Sequence, residues 1–400
     1  MSQFYLYDDA RARAFEPFAL SRPVGELRAG ALLIRQRWEQ LLGLGCGGFL
    51  GALHLADFEE FDAPRAVADG SLPAGALVVN ARCVPALGGA TGAADLLACD
   101  GAVAAVRLTH AVPTARFADG TLDLEDLSEN GWERTVVHGR WLDAPWDLLR
   151  HLAAMLSEDI ATLGTRLETV ATPHITVLGD HPVFVEAGAH GEPLVVIDAS
   201  AGPVLVSRRA SVAAFTRLVG PCYIAPDAQV LGGKVTTCAI GEHSRVHGEV
   251  STTIFLGHAN KGHDGFVGHS ILGRWVNLGA ATVTSNLKNT YGAVQLWTPA
   301  GTVTTGLQFL GTLFGDHAKT AIGTRLTTGS VIGTGANVVA SGLTPKVVPP
   351  FLWGEGSALY DPERFVTVAE RVMARRAVTL GDGGRRHLQR IFAARWTAGA

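Results

Sequence analysis

From about residue 216 the chain keeps a beat of five or six residues. Aliphatic side chains stand at Ile224, Val230, Val235, Ile240 and Val246, then at Val267, Leu272 and Leu278, and later at Ile332 and Val338. Glycine follows an aliphatic position directly at Gly241, Gly268, Gly273, Gly279, Gly323 and Gly333. An α-helix would repeat every 3.6 residues and a half-buried strand every two. A six-residue beat instead fits a coil of three sides, with one aliphatic side chain per side facing inward and a small residue where the chain turns. One coil cannot bury its own core, so coils must stack. The expectation is a left-handed parallel β-helix of the hexapeptide-repeat type over residues 216–350.

Four hundred residues exceed one ordinary core, so a second domain is expected ahead of the repeat. Residues 1–142 read as α/β. Phe4–Tyr7 and 76–80 are apolar runs suited to buried strands, and 30–42 carries a helical apolar stripe. Residues 143–215 read as a helical connection followed by lead-in strands. The helix spans 143–163, with Asp143 as cap and Pro145 in the first turn. A tail over 351–400 opens at Asp361-Pro362-Glu363 and closes with a basic helix over 385–396, the kind of face that is usually solvated or an oligomer contact.

Bulk properties exclude several classes. A net charge of -4 gives no general attraction to nucleic acid. No apolar run is long enough to span a membrane, and the N-terminus lacks a basic-then-apolar leader, so a cytoplasmic protein is expected. The five cysteines are scattered without a CxxC pair, which predicts neither a disulfide frame nor a cysteine zinc site. Of 33 basic residues only Lys234, Lys261, Lys288, Lys319 and Lys346 are lysines, all in the C-terminal region, where a point charge suits phosphate.

The segment from Asn260 to Asn289 carries KGHDGF, VNLGA and SNLKN, and a later run at 305–324 reads TGLQFLGTLFGDHAKTAIGT. These phrases resemble the acetyltransferase half of the bifunctional enzyme family that makes UDP-N-acetylglucosamine. They resemble more closely a variant bacterial branch of sugar nucleotidyltransferases. The resemblance implies that His263 is a catalytic base and that Phe266 takes the place of a family tyrosine. It implies that Asn277 and Asn286 bind the sugar, and that Ala280 lies where the backbone meets acetyl-CoA. It also implies a homotrimer with sites between subunits, acting on a sugar phosphate or nucleotide sugar.

The residues support the same chemistry. Acyl transfer from a thioester to an amine needs a base, for which an imidazole is suited, and donors for the developing oxyanion. His263, Asn277 and Asn286 would supply these, with Lys261 and Lys288 on phosphate and His317 and Lys319 toward the acyl carrier. Metal binding is an alternative use of His258, His263 and His269. No metal site is predicted.

At the N-terminus, residues 17–24 resemble the stretch that follows a nucleotidyltransferase's glycine-rich loop, yet the first glycine is Gly25. Asp8-Asp9-Ala10-Arg11-Ala12-Arg13 stands where the loop belongs, and Arg82 takes the place of a metal-binding aspartate. Mg²⁺ is expected only if this domain is active, with Asp8 and Asp9 as substitute ligands. Arg11, Arg13, Arg22 and Arg28 would hold an anionic sugar nucleotide. The leading expectation is N-acyl transfer. The alternatives are sugar-1-phosphate nucleotidyl transfer and non-catalytic binding of a sugar nucleotide.

Overall fold

A six-stranded sheet organises the first half of the chain. In the computed structural model, which describes residues 3–89, 91–92, 94–129, 131–354, 356 and 358–396, the chain forms two units. The first comprises Met1–Asp147 with Leu380–Ala394, and the second Leu148–Thr379 with Arg395–Ala400.

In the first unit Phe4–Tyr7 lies parallel to both Cys46–Leu50 and Leu77–Asn80. Ala102–Arg107 runs antiparallel between Leu77–Asn80 and Leu96–Cys99, and Arg134–Val136 adds a parallel edge. The apolar runs are central strands because Phe4, Leu6, Val78 and Val79 are all fully buried. Helix α1, Ile34–Leu42, buries Ile34 and Trp38, and Gly43 ends it in the left-handed conformation. The basic tail helix is part of this unit. Arg386 and Arg390 pair with Asp57, His387 Nε2 lies 2.9 Å from the Ser21 carbonyl, and Leu388 and Ile391 are buried. Its apolar face is therefore covered within this unit.

The helix expected over 143–163 begins later, as α2, Asp147–Arg150, and α3, Leu152–Gly164. Asp143 does not cap it. Its carboxylate is drawn to Arg82 and Arg11, and Asp147 Oδ2 accepts the backbone N–H groups of Asp143 and Ala144 instead.

The second unit is a parallel β-solenoid of about 10 turns, the stacked coil that the beat predicts. One face is a nine-stranded parallel sheet from Val183–Val185 to Val347–Val348. The parallel ladders begin at Thr176–Leu178, before the beat becomes regular. The aliphatic positions form one continuous core that includes Val230, Val235, Ile240, Val246, Val267, Leu272, Ile332 and Val338. Each such side chain removed from water contributes roughly 1.5–3 kcal/mol.

The glycine beat has a steric origin. A Cβ at Gly241 would lie 2.5 Å from the Phe255 and Leu256 carbonyl oxygens, one at Gly279 2.6 Å from Ala321, and one at Gly333 2.3 Å from Pro350. The backbone of the next coil fills that space. Gly323 differs: space around it is open, but its φ of +74° requires a left-handed turn. Between Ile271–Leu272 and Thr312–Phe314 the coil is interrupted by an insertion carrying the hairpin Gln295–Thr298 and Gly301–Thr304. Helix α4, Pro362–Ala374, follows the last coil. Asp361 caps it by accepting the Arg364 N–H at 2.8 Å.

Candidate functional site

Successive coils align equivalent residues into columns. On one face Arg245, Asn260, Asn277, Lys319 and Asn337 are consecutive ladder partners. Asn260 Nδ2 donates to Asn277 Oδ1 at 2.9 Å, which fixes both amides. The corner beside this column carries His243, His258, Trp275 and His317, all with φ between 54° and 64°. Their rings lie against one another at centroid distances of 4.7, 4.4 and 6.2 Å, and Phe365 of α4 meets the edge of His317.

A cleft of about 500 Å³ opens between this column and the end of α4. Its lining includes His258, Asn260, His263, Trp275, Asn277 and Lys319 from the coils, and Val372, Arg375 and Arg376 from α4 and the residues after it. Arg245 completes the basic set, and no carboxylate lines the cleft among the described residues. Burial lowers the Lys319 ammonium to about 8, and its Nζ donates to the His317 carbonyl at 2.9 Å.

The other candidate residues are distributed differently. Phe266 and Asn286 flank Gly268, where a Cβ would lie 2.4 and 2.7 Å from them. Asn286 Nδ2 is 2.9 Å from His269 Nδ1, and His269 stacks on Phe309. Desolvation pushes His269 down to about 4, which keeps the ring neutral. Neither Phe266 nor Asn286 lines the cleft that holds His263 and Asn277.

Lys261 pairs with Val246 in the ladder, on an inward beat of the repeat, and is buried. Its Nζ donates to the His247 carbonyl at 2.7 Å and the His263 carbonyl at 2.5 Å, and burial lowers it to about 8. It ties the corner that presents His263 rather than reaching solvent. Lys288 lies in the insertion, with Nζ on the Ala293 carbonyl at 2.8 Å. The Ala280 carbonyl accepts the Gly323 N–H from the next coil at 2.8 Å, and His317 is buried in the ring column.

His258, His263 and His269 do not converge. A step of five or six residues moves the chain along one side to the next corner, and only a full coil returns to the same one. His258 and His269 mark two corners by their positive φ, and His263 sits at the third, between the Asn260–Lys261 and Phe266–Gly268 strands. Among the described residues no group of three potential ligands surrounds a metal position.

In the first unit a cavity of about 600 Å³ lies beyond the carboxyl ends of the Phe4–Tyr7 and Leu77–Asn80 strands, where open α/β sheets place ligands. Its lining includes Asp9, Arg11, Asn80, Arg82, Trp141 and Asp143. Asp9 is fully engaged. Arg82 Nε lies 3.0 and 2.9 Å from its two oxygens, Arg82 Nη2 lies 2.8 Å away, and Asn80 Nδ2 and the Ala12 N–H also donate to it. Asp8 is buried with its Oδ2 on the Val24 N–H at 3.2 Å, and desolvation raises it to about 7. These carboxylates do not fit Mg²⁺. One is occupied by a guanidinium and the other is sealed from the cavity's lining.

The arginines expected to hold an anion are engaged too. Arg13 donates to the Asp8, Phe117 and Ala118 carbonyls, Arg22 pairs with Glu60, Arg28 donates to the Ala31 carbonyl, and Arg11 pairs with Asp143.

Residues 4–166 match the family model described as sugar nucleotidyl transferase. The N-terminal unit is a sugar nucleotidyl transferase-like domain. No curated protein sequence matches the chain. Among solved structures, a hexapeptide transferase family protein from Anaplasma phagocytophilum is 16% identical over 52% of this chain and 96% of its own, with a TM-score of 0.16. No membrane-spanning helix is present among the described residues.

Among the lining residues of the β-helix cleft, sequence reasoning missed Arg245, Asn260, Arg375 and Arg376. Asn260 stands one coil before Asn277, so the coil period itself marks it. Arg245 stands one coil earlier again. Arg375 and Arg376 carry no repeat signal, because they come from outside the coils.

Proposed function

We propose that the β-helix unit transfers an acyl group from acyl-CoA to the amino group of a sugar phosphate or nucleotide sugar. The observation that carries this reading is that His263 and the Asn260–Asn277 amide pair line one cleft with Arg245, Arg375 and Arg376 and no carboxylate. The imidazole of His263 takes a proton as the amine attacks the thioester carbonyl. The N–C bond forms, the C–S bond breaks, and the proton passes to the departing thiolate. The Asn277 amide orients the sugar, and Asn260 holds that amide in place. Phe266 and Asn286 lie outside this cleft and contribute only where a second subunit brings them to it.

A homotrimer is part of the proposal. Leu194, Phe215 and Ile322 are exposed on the coils at 62%, 77% and 82%, a pattern suited to burial between subunits. The nucleotidyltransferase-like domain keeps a place for a sugar nucleotide but, with Asp9 held by Arg82, does not transfer nucleotides.

The test pairs two assays on wild type and His263→Ala. Glucosamine 1-phosphate with acetyl-CoA is followed for free thiol, and N-acetylglucosamine 1-phosphate with UTP and Mg²⁺ for pyrophosphate. Thiol release in the wild type, lower by about 10²-fold or more in the variant, is expected. Pyrophosphate release that the substitution leaves untouched, without thiol release, would overturn the proposal.

A further inference from the structure

The arginines of the cleft are unusual in their company. Arg245 and Arg375 make no ion pair or side-chain hydrogen bond among the described residues, and Arg376 donates only to the His243 carbonyl at 2.8 Å. Elsewhere arginines are matched: Arg209 is bidentate on Asp227, Arg217 pairs with Asp198, and Arg208 pairs with Glu186. In the cleft three arginines share one lining instead, with no carboxylate among the described residues that line it. Burial, and then the charges of Arg245 and Arg375, lower the affinity of Arg376 for its proton. Like charges gathered without counter-charge cost stability unless an anion completes them. The planar guanidinium also matches phosphate oxygens two at a time.

We propose that Arg245, Arg375 and Arg376 form the clamp for the acceptor's phosphoryl group, with the residues directly after α4 supplying two of the three guanidinium groups. This deepens the acyltransfer reading, since the clamp shares its cleft with His263 and Asn277. It also reassigns the phosphate role from Lys261 and Lys288, whose ammonium groups are spent on backbone carbonyls. The acceptor then lies along the coil column with its phosphate toward α4 and its amine toward His263. An unphosphorylated amino sugar is a poor ligand.

The experiment is calorimetric titration of the full chain with inorganic pyrophosphate and with glucosamine 1-phosphate, in the absence of any acyl donor. Wild type is compared with Arg375→Gln, Arg376→Gln and the double variant. Arg375 is exposed and Arg376 half-buried, so folding is expected to hold, and circular dichroism checks it. Each single substitution is expected to weaken binding about tenfold or more, and the double variant to abolish it. Glucosamine itself should bind at least tenfold more weakly than its 1-phosphate. Equal affinities in wild type and the double variant would overturn the clamp. So would displacement of pyrophosphate by coenzyme A but not by glucosamine 1-phosphate, which would give the arginines to the acyl donor. Anion binding that depends on the arginines, without thiol release in the activity assay, would sustain the clamp while refuting acyl transfer.

Discussion

Arg82 grips Asp9 from the side, with Nε 2.9 and 3.0 Å from the two carboxylate oxygens and Nη2 2.8 Å from one of them. Both side chains are largely buried, and Trp141 lies under the guanidinium. A guanidinium thus occupies the carboxylate that the sequence offers as a substitute metal ligand. Asp9→Asn leaves Arg82 without its charge partner. It is expected to destabilise the first unit by about 2 kcal/mol, read as a lower urea midpoint with unchanged m-value. A midpoint equal to wild type would show that the pair has no structural role.

Asp8 predicts how the first unit responds to pH. Desolvation raises its folded pKa to about 7 from the ordinary 3.8. The folded state therefore holds this proton more tightly than the unfolded chain. The stabilisation is complete below about pH 4 and is lost as pH rises through about 7. Asp8→Asn replaces the neutral acid with a neutral amide. The variant's stability relative to wild type is expected to increase between pH 4 and 8, in urea unfolding at stepped pH. A difference that stays constant across the series would mean that Asp8 ionises freely.

His269 gives the opposite slope in the β-helix unit. Its folded pKa is lowered to about 4 from 6.5 by burial, with Asn286 and Phe309 against the ring. Its contribution is present above pH 6.5 and lost as pH falls toward 4. Hydrogen exchange of the coils, compared between wild type and His269→Gln, should show the wild type losing protection faster on acidification. Parallel losses in the two proteins would contradict the assignment.

Gly279 follows Leu278 on the beat beside Asn277. A methyl group there would meet the Ala321 backbone at 2.6 Å, so Gly279→Ala must push two coils apart. The expected cost is about 1–3 kcal/mol. Glucosamine 1-phosphate affinity is expected to fall as well, because the displaced coil carries Asn277. Wild-type stability in this variant, by thermal unfolding, would show that the beat of glycine is not set by stacking.

The solenoid was legible in the chain because its two causes are local. One inward aliphatic per side fills the core and leaves a mark every five or six residues, and glycines on that beat make room for the next coil. Lys261 shows the limit of that reading. It stands on an inward beat, yet its ammonium reaches two carbonyls at the corner instead of a ligand.

What tertiary structure alone decided is which residues meet. His263 and Asn277 resemble neighbouring phrases of one motif and do share a cleft, whereas Asn286, nine residues beyond Asn277, lies outside it with His269. The coil period, not sequence distance, sets which side chains align, so Asn260 joins Asn277 from a full coil away. Arg375 and Arg376 could not be placed from the chain, because nothing periodic links a helix after the last coil to the face it covers. Composition and rhythm determined the scaffold. The charge in its cleft comes from packing between segments far apart in sequence, which only the folded backbone brings together.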